Sequence, residues 1–185
     1  ANQDGDSRLL DEARTLAGGD PVAALHRLAE RLRQRQAPAP VHQLYRELLR
    51  RQGLRNDLLV HGQIWIAALI AQDEARRALG VLQECCGIDP AFVPDDPRTC
   101  GELADLAARL GMERLAIHLG RGYLAHWPRD GQAPHYGLLA ARLLGARAER
   151  RTEAIVLLEK LASAWPGHPL RNDIAALQRQ LAGAA

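Results

Sequence analysis

The chain has 185 residues, 47% of them apolar and 25% charged, with a formal net charge of +2 at pH 7. That balance excludes a disordered polyelectrolyte, and it gives the molecule as a whole no reason to seek a polyanionic partner. No apolar run reaches the roughly 18 residues that a membrane helix needs, and the first residues lack the apolar core of a signal peptide.

Residues 1–6 are small, polar and acidic and read as a disordered leader or an artificial edge. An anchor outside the chain is left open. A helix is expected from Ser7 to Ala17, stopped by Gly18 and Gly19. Asp20-Pro21 is an N-cap followed by proline at the first helical position, and Val22, Leu25, Leu28 and Leu32 give the apolar stripe of a second helix. The tract from Ala37 to Pro40 breaks it, and a third helix runs from about Val41 to Gln52.

The next helix is capped by Asn56 or Asp57 and reaches about Ala71, and Asp73 opens another to Cys86. Asp96-Pro97 restarts a helix to Leu110, followed by one from Met112 to Trp127. Helices are then expected over His135 to Ala146, Thr152 to Trp165 and Pro169 to Leu181. β-Branched residues nowhere alternate over a useful length, so the fold class is all-α with about ten helices.

A phrase recurs within this series: A-L-G-V-L from Ala78, A-I-H-L-G from Ala116 and A-I-V-L-L from Ala154. A proline follows each alanine by twelve residues, at Pro90, Pro128 and Pro166, so the step is 38 residues both times. Trp127-Pro128 is echoed by Trp165-Pro166. Helix pairs at a fixed period below about 50 residues specify a solenoid, because one pair cannot bury both its apolar stripes alone.

These residues resemble the tetratricopeptide repeat (TPR) family, which has a small residue near the start of its second helix and a proline twelve residues later. Four extra residues after each proline lengthen the family's usual period. In the first helices, where the family has a small residue, this chain has Ala104 but also Ile66 and Arg142. The resemblance divides the chain into residues 7–55 as divergent N-terminal helices, 56–168 as three TPR-like repeats, and 169–185 as a capping helix and tail.

The resemblance implies a right-handed superhelix whose first helices line a concave groove for a peptide or protein segment. Carried over by position, the groove faces are Val60, Gln63, Ala67 and Ile70, then Arg98, Gly101, Asp105 and Arg109, then Tyr136, Leu139, Leu143 and Arg147. The family's carboxylate clamp for C-terminal tails has no matching residue set here.

Chemistry finds little support. None of the seven histidines forms H-E-x-x-H and no cysteine pair has C-x-x-C spacing, so no metal or cofactor is expected. The mid-helix glycines Gly120 and Gly122 suit close helix contact better than phosphate binding. Cys85, Cys86 and Cys100 leave two readings: a bridge from Cys86 or Cys85 to Cys100, or buried free thiols.

From His26 to Arg55 there are eight arginines against Glu30 and Glu47, an excess of 8 − 2 = 6. Arg27 and Arg31, and likewise Arg46 and Arg50, share a helix face. A solvated face, an acidic protein or an anionic lipid surface would each suit this patch, whereas nucleic acid is disfavoured because only Tyr45 is available for stacking. The expected function is a non-enzymatic protein-interaction module, an adaptor or the soluble segment of a larger bacterial envelope-associated protein. The alternative is a homodimerising element that uses the array end or the basic first helices. A bacterial cytoplasmic or membrane-adjacent setting is favoured over secretion.

Overall fold

The computed structural model describes residues 2–34 and 36–183. Among them there are ten α-helices and no strand: α1 (Asn2–Ala17), α2 (Pro21–Arg33), α3 (Ala39–Arg51), α4 (Arg55–Ala71), α5 (Ala75–Ile88), α6 (Pro97–Arg109), α7 (Glu113–His126), α8 (Ala133–Gly145), α9 (Arg151–Ala164) and α10 (Arg171–Gly183). A short 3-10 turn, Ala148–Arg150, precedes α9. Two of the caps read from the sequence are present: the side chains of Asp20 and Asp96 accept from the N–H groups of Ala23 and Thr99, each with proline in the first turn that follows. The third reading is corrected, because α4 starts at Arg55 and so holds Asn56 and Asp57 within its first turn.

The chain divides into two compact units, one comprising the residues up to Trp65 with Gln83–Phe92, the other Ile66–Leu82 with the residues from Val93 on. In the first, α1, α2 and α3 pack on one another around Ala13, Ala24, Leu28, Val41, Leu44 and Leu48. Helix α1 begins at Asn2 rather than Ser7, which corrects the expectation of a disordered leader. A half-buried ion pair, Arg31 Nε to Asp6 Oδ1 at 2.6 Å, ties its first turns to α2.

In the second unit α6, α7, α8, α9 and α10 each pack on the next helix in the chain. The repeat is visible in the helix bounds themselves. Helices α5, α7 and α9 each have 14 residues and start at 75, 113 and 151, so the step is 113 − 75 = 151 − 113 = 38. Ala78, Ala116 and Ala154 are the fourth residue of each and all are fully buried. The helix ends match too: Trp127 (φ −127°, ψ 58°) and Trp165 (φ −131°, ψ 53°) close α7 and α9 with the same bond from their N–H to the carbonyl four residues back.

Small residues let these helices approach. A Cβ built on Gly120 would lie 2.7 Å from the carbonyl oxygen of Tyr136, a backbone atom, so the α7/α8 contact requires glycine; one on Gly137 would lie 2.7 Å from Leu161 Cδ2, so the α8/α9 contact would have to move that side chain to accept it. Helix α10 repeats α8 at a step of 38 residues, since 171 − 133 = 183 − 145 = 38. It carries Gln178, Arg179 and Ala182 where α8 buries Ala140, Ala141 and Leu144.

Candidate functional site

The α3/α4 contact is built differently from the α7/α8 contact. His42 is the fourth residue of α3, the place that alanine holds in α5, α7 and α9, and Arg46 stands four residues on, where α7 has Gly120. Gly120 abuts the carbonyl of Tyr136, the fourth residue of α8; Arg46 Nη1 reaches the carbonyl of Leu58, the fourth residue of α4, at 2.8 Å. A close glycine contact is thus replaced by a guanidinium, with room made for a layer of rings.

Arg46 is 1% exposed and fully engaged. Its Nη1 also faces His61 Nδ1 at 3.2 Å, and its Nη2 is 3.3 Å from Glu84 Oε1, which Arg50 Nε meets at 2.8 Å. Arginine can only donate, so His61 Nδ1 accepts and its Nε2 carries the proton toward His42 Nδ1, 3.0 Å away. His42 completes the chain with a bond to the backbone at Ala37. Trp65 stacks on His42 with ring centres 4.8 Å apart and planes at 2°, and Tyr45 sets its ring edge-on to His61.

This layer holds the histidines neutral. Burial, then the Arg46 charge and the neighbouring His42 push the His61 pKa down to about 3. Burial pushes His42 down to about 4, against the opposing bond to Ala37. Burial raises the Glu84 carboxyl, but the bond from Arg50 and the charge of Arg46 outweigh it and leave the group below its ordinary value.

Over the ring layer opens a cavity of about 380 Å³. Ala29, Leu32 and Arg33 of α2 form one wall, Asp57, Val60, His61 and Ile64 of α4 the other, and His42 and Tyr45 of α3 the floor. Val60 and Ile64 stand on its lip 62% and 64% exposed, four residues apart on one helix face.

The same cavity positions recur in the second unit, where 320 Å³ lies between α8 and α10. Asp173, Ala176, Leu177 and Gln180 are the lining of α4 shifted by 116 residues, and Arg142, Gly145 and Ala146 are that of α2 shifted by 113. The cavity therefore belongs to consecutive first helices, and its lining distinguishes the two. In the first unit it is apolar on the lip; in the second, Ala176 and Gln180 replace Val60 and Ile64.

Two of the expected groove residues are turned inward. Ile70 and Tyr136 are 5% and 9% exposed, so they are packing residues rather than outward faces. The Tyr136 hydroxyl donates to Asp105 Oδ2 at 3.2 Å, and His135 Nε2 approaches Asp105 Oδ1 at 3.4 Å. Arg147 pairs with Glu113 and Arg98 with Glu102 on its own helix. Gln63 and Leu139 are half-buried, and Arg109 is exposed with no ion pair among the described residues. Only Val60 of that expected face lines the apolar cavity.

The basic patch also needs correction. Arg27 pairs with Glu12, Arg31 with Asp6, and Arg46 and Arg50 share Glu84. Each acid lies outside the window from His26 to Arg55, so local charge counting cannot see it. No bridge joins the cysteines: all three are free, with the Cys86 thiol turned to the carbonyl of Phe92 and that of Cys100 to the carbonyl of Leu119. Among the described residues no group of three or more His, Cys, Asp or Glu could hold a metal ion.

His42, His61, Trp65 and Ile64 went unnoticed as a group in the sequence. Their one signal is His42 itself, a bulky polar ring at the place of the repeated alanine. Compared with protein-family models and with curated proteins, the chain matches none.

Proposed function

We propose that the chain is a TPR-like helical-repeat module without enzymatic activity, which holds a segment of a partner protein at the cavity between α2 and α4. The observation that carries this reading is the pair Val60 and Ile64, two large aliphatic side chains left in water on the lip of an apolar cavity. Covering a valine and an isoleucine gains about 1.5–3 kcal/mol each, enough to anchor a short segment on a preformed surface. The arginine layer beneath supports the reading, because a fully bonded guanidinium fixes the cavity floor before any partner arrives. The 38-residue register of α5, α7 and α9 supports the family resemblance.

Photo-crosslinking in the native host tests it. A benzophenone amino acid at Val60 is expected to give one discrete adduct that disappears when Ile64→Asp is added. The same probe at Val22, which is exposed on α2 but is not among the residues that line this cavity, is expected to give no such adduct. Identical adducts from both positions would contradict the proposal.

A further inference from the structure

Each of the two cavities carries one arginine and one aspartate on opposite walls; the aspartates hold equivalent positions, whereas the arginines stand one helical turn apart, Arg33 matching Ala146 and Arg142 matching Ala29. In the first, Arg33 stands on the α2 wall and Asp57 on the α4 wall; in the second, Arg142 stands on α8 and Asp173 on α10. Asp57 and Asp173 are both the third residue of their helix, each within an Arg-Asn-Asp sequence. All four are exposed, and among the described residues none makes an ion pair. Their neighbours behave differently: Arg27, Arg31, Arg46, Arg50 and Arg51 all have carboxylate partners. Arg33 lines the cavity without such a partner among the described residues.

Resting on the function proposed above, we infer that the α2/α4 cavity takes a bipolar amphipathic peptide segment, its apolar side chains seated against Val60 and Ile64, an acidic residue meeting Arg33 and a basic residue meeting Asp57. An exposed ion pair contributes little, but one at the edge of a surface dried by its occupant strengthens and sets the orientation in which the segment lies. The i, i+4 placement of Val60 and Ile64 matches the anchor spacing of a helical segment, so the occupant carries two apolar residues three or four apart between its charges.

The test is selection of a random peptide library displayed on phage against the folded protein, with Ile64→Asp used for counter-selection. Enriched peptides are expected to carry two apolar residues at helical spacing, an acid on one side and a base on the other. In fluorescence anisotropy the double variant Arg33→Glu, Asp57→Arg should lose about tenfold affinity for such a peptide and recover it when the peptide's two charges are exchanged. Unchanged thermal melting of each variant keeps misfolding out of the comparison. Enrichment of apolar peptides with no charge pattern overturns this inference and leaves the function standing. Failure of any peptide to distinguish the protein from Ile64→Asp overturns both, and a dimer in light scattering that Ile64→Asp abolishes makes a second copy the occupant.

Discussion

Arg46 donates from Nη1 to the carbonyl oxygen of Leu58 at 2.8 Å, in the helix position where Gly120 presses on the carbonyl of Tyr136. One contact in the array is thereby built around a buried cation, and its consequences differ from those of the glycine contact.

Removing the guanidinium takes one of two cationic partners from Glu84 and leaves His61 Nδ1 and the Leu58 carbonyl without their arginine donor. Arg46→Ala is expected to cost about 3–5 kcal/mol, the range for breaking a buried charge pair from one side. Arg50→Ala removes only the more exposed partner of Glu84 and should cost about 1 kcal/mol or less. Urea unfolding of both variants checks the ratio; equal losses would show that Arg46 is not the keystone.

The neutral histidines make stability depend on pH. Both folded pKa values lie below the unfolded value of about 6.5, at about 3 for His61 and about 4 for His42, so the unfolded chain takes protons first. Their contribution is complete above about pH 7 and shrinks as pH falls through 6.5 toward 4. A few kcal/mol, up to about 3 for each histidine at roughly 1.4 kcal/mol per pH unit below 6.5, should be lost between pH 7 and 4, beyond any loss from carboxylates. His42→Gln, which keeps an acceptor for His61 but does not titrate, should flatten the slope measured by denaturant midpoints across that range.

The glycine contact fails by overpacking. Gly120→Ala puts a methyl group 2.7 Å from the Tyr136 carbonyl, a backbone atom that cannot swing aside. Destabilisation of about 1–3 kcal/mol is expected, a lowering of Tm by several degrees in calorimetry. Gly80→Ala is the control, because nothing lies within 4 Å of its added Cβ, and there the melting temperature should hold or rise.

Ile64→Asp and Val60→Asp leave the fold intact, because both side chains are already in water. Their melting temperatures should stay within about 2 °C of the parent. A large drop in either would mean that these side chains support the core rather than wait for a partner.

The sequence made the second helices legible because α5, α7 and α9 repeat a buried alanine and a closing turn at one step. Upstream, the same rhythm was hidden. The slot of Ala78 is held in α3 by His42, 36 residues earlier rather than 38, and a 38-residue step lands on Pro40. The α2/α3 pair therefore read as irregular although its helices alternate as the later ones do. The arginine patch misled for a related reason: counting charge along a window treats Arg31 and Arg46 as free, while Asp6 and Glu84 lie 25 and 38 residues away. Periodicity reports which face of a helix is apolar. It does not report which polar residue on that face finds a partner from another helix.

The most direct test of the account is amide hydrogen exchange on the protein alone and with the partner segment recovered at Val60. Slowed exchange confined to residues 29–33 of α2 and 57–64 of α4 is the predicted result. Protection centred instead on α6 and α8, around Asp105 and Tyr136, would contradict it.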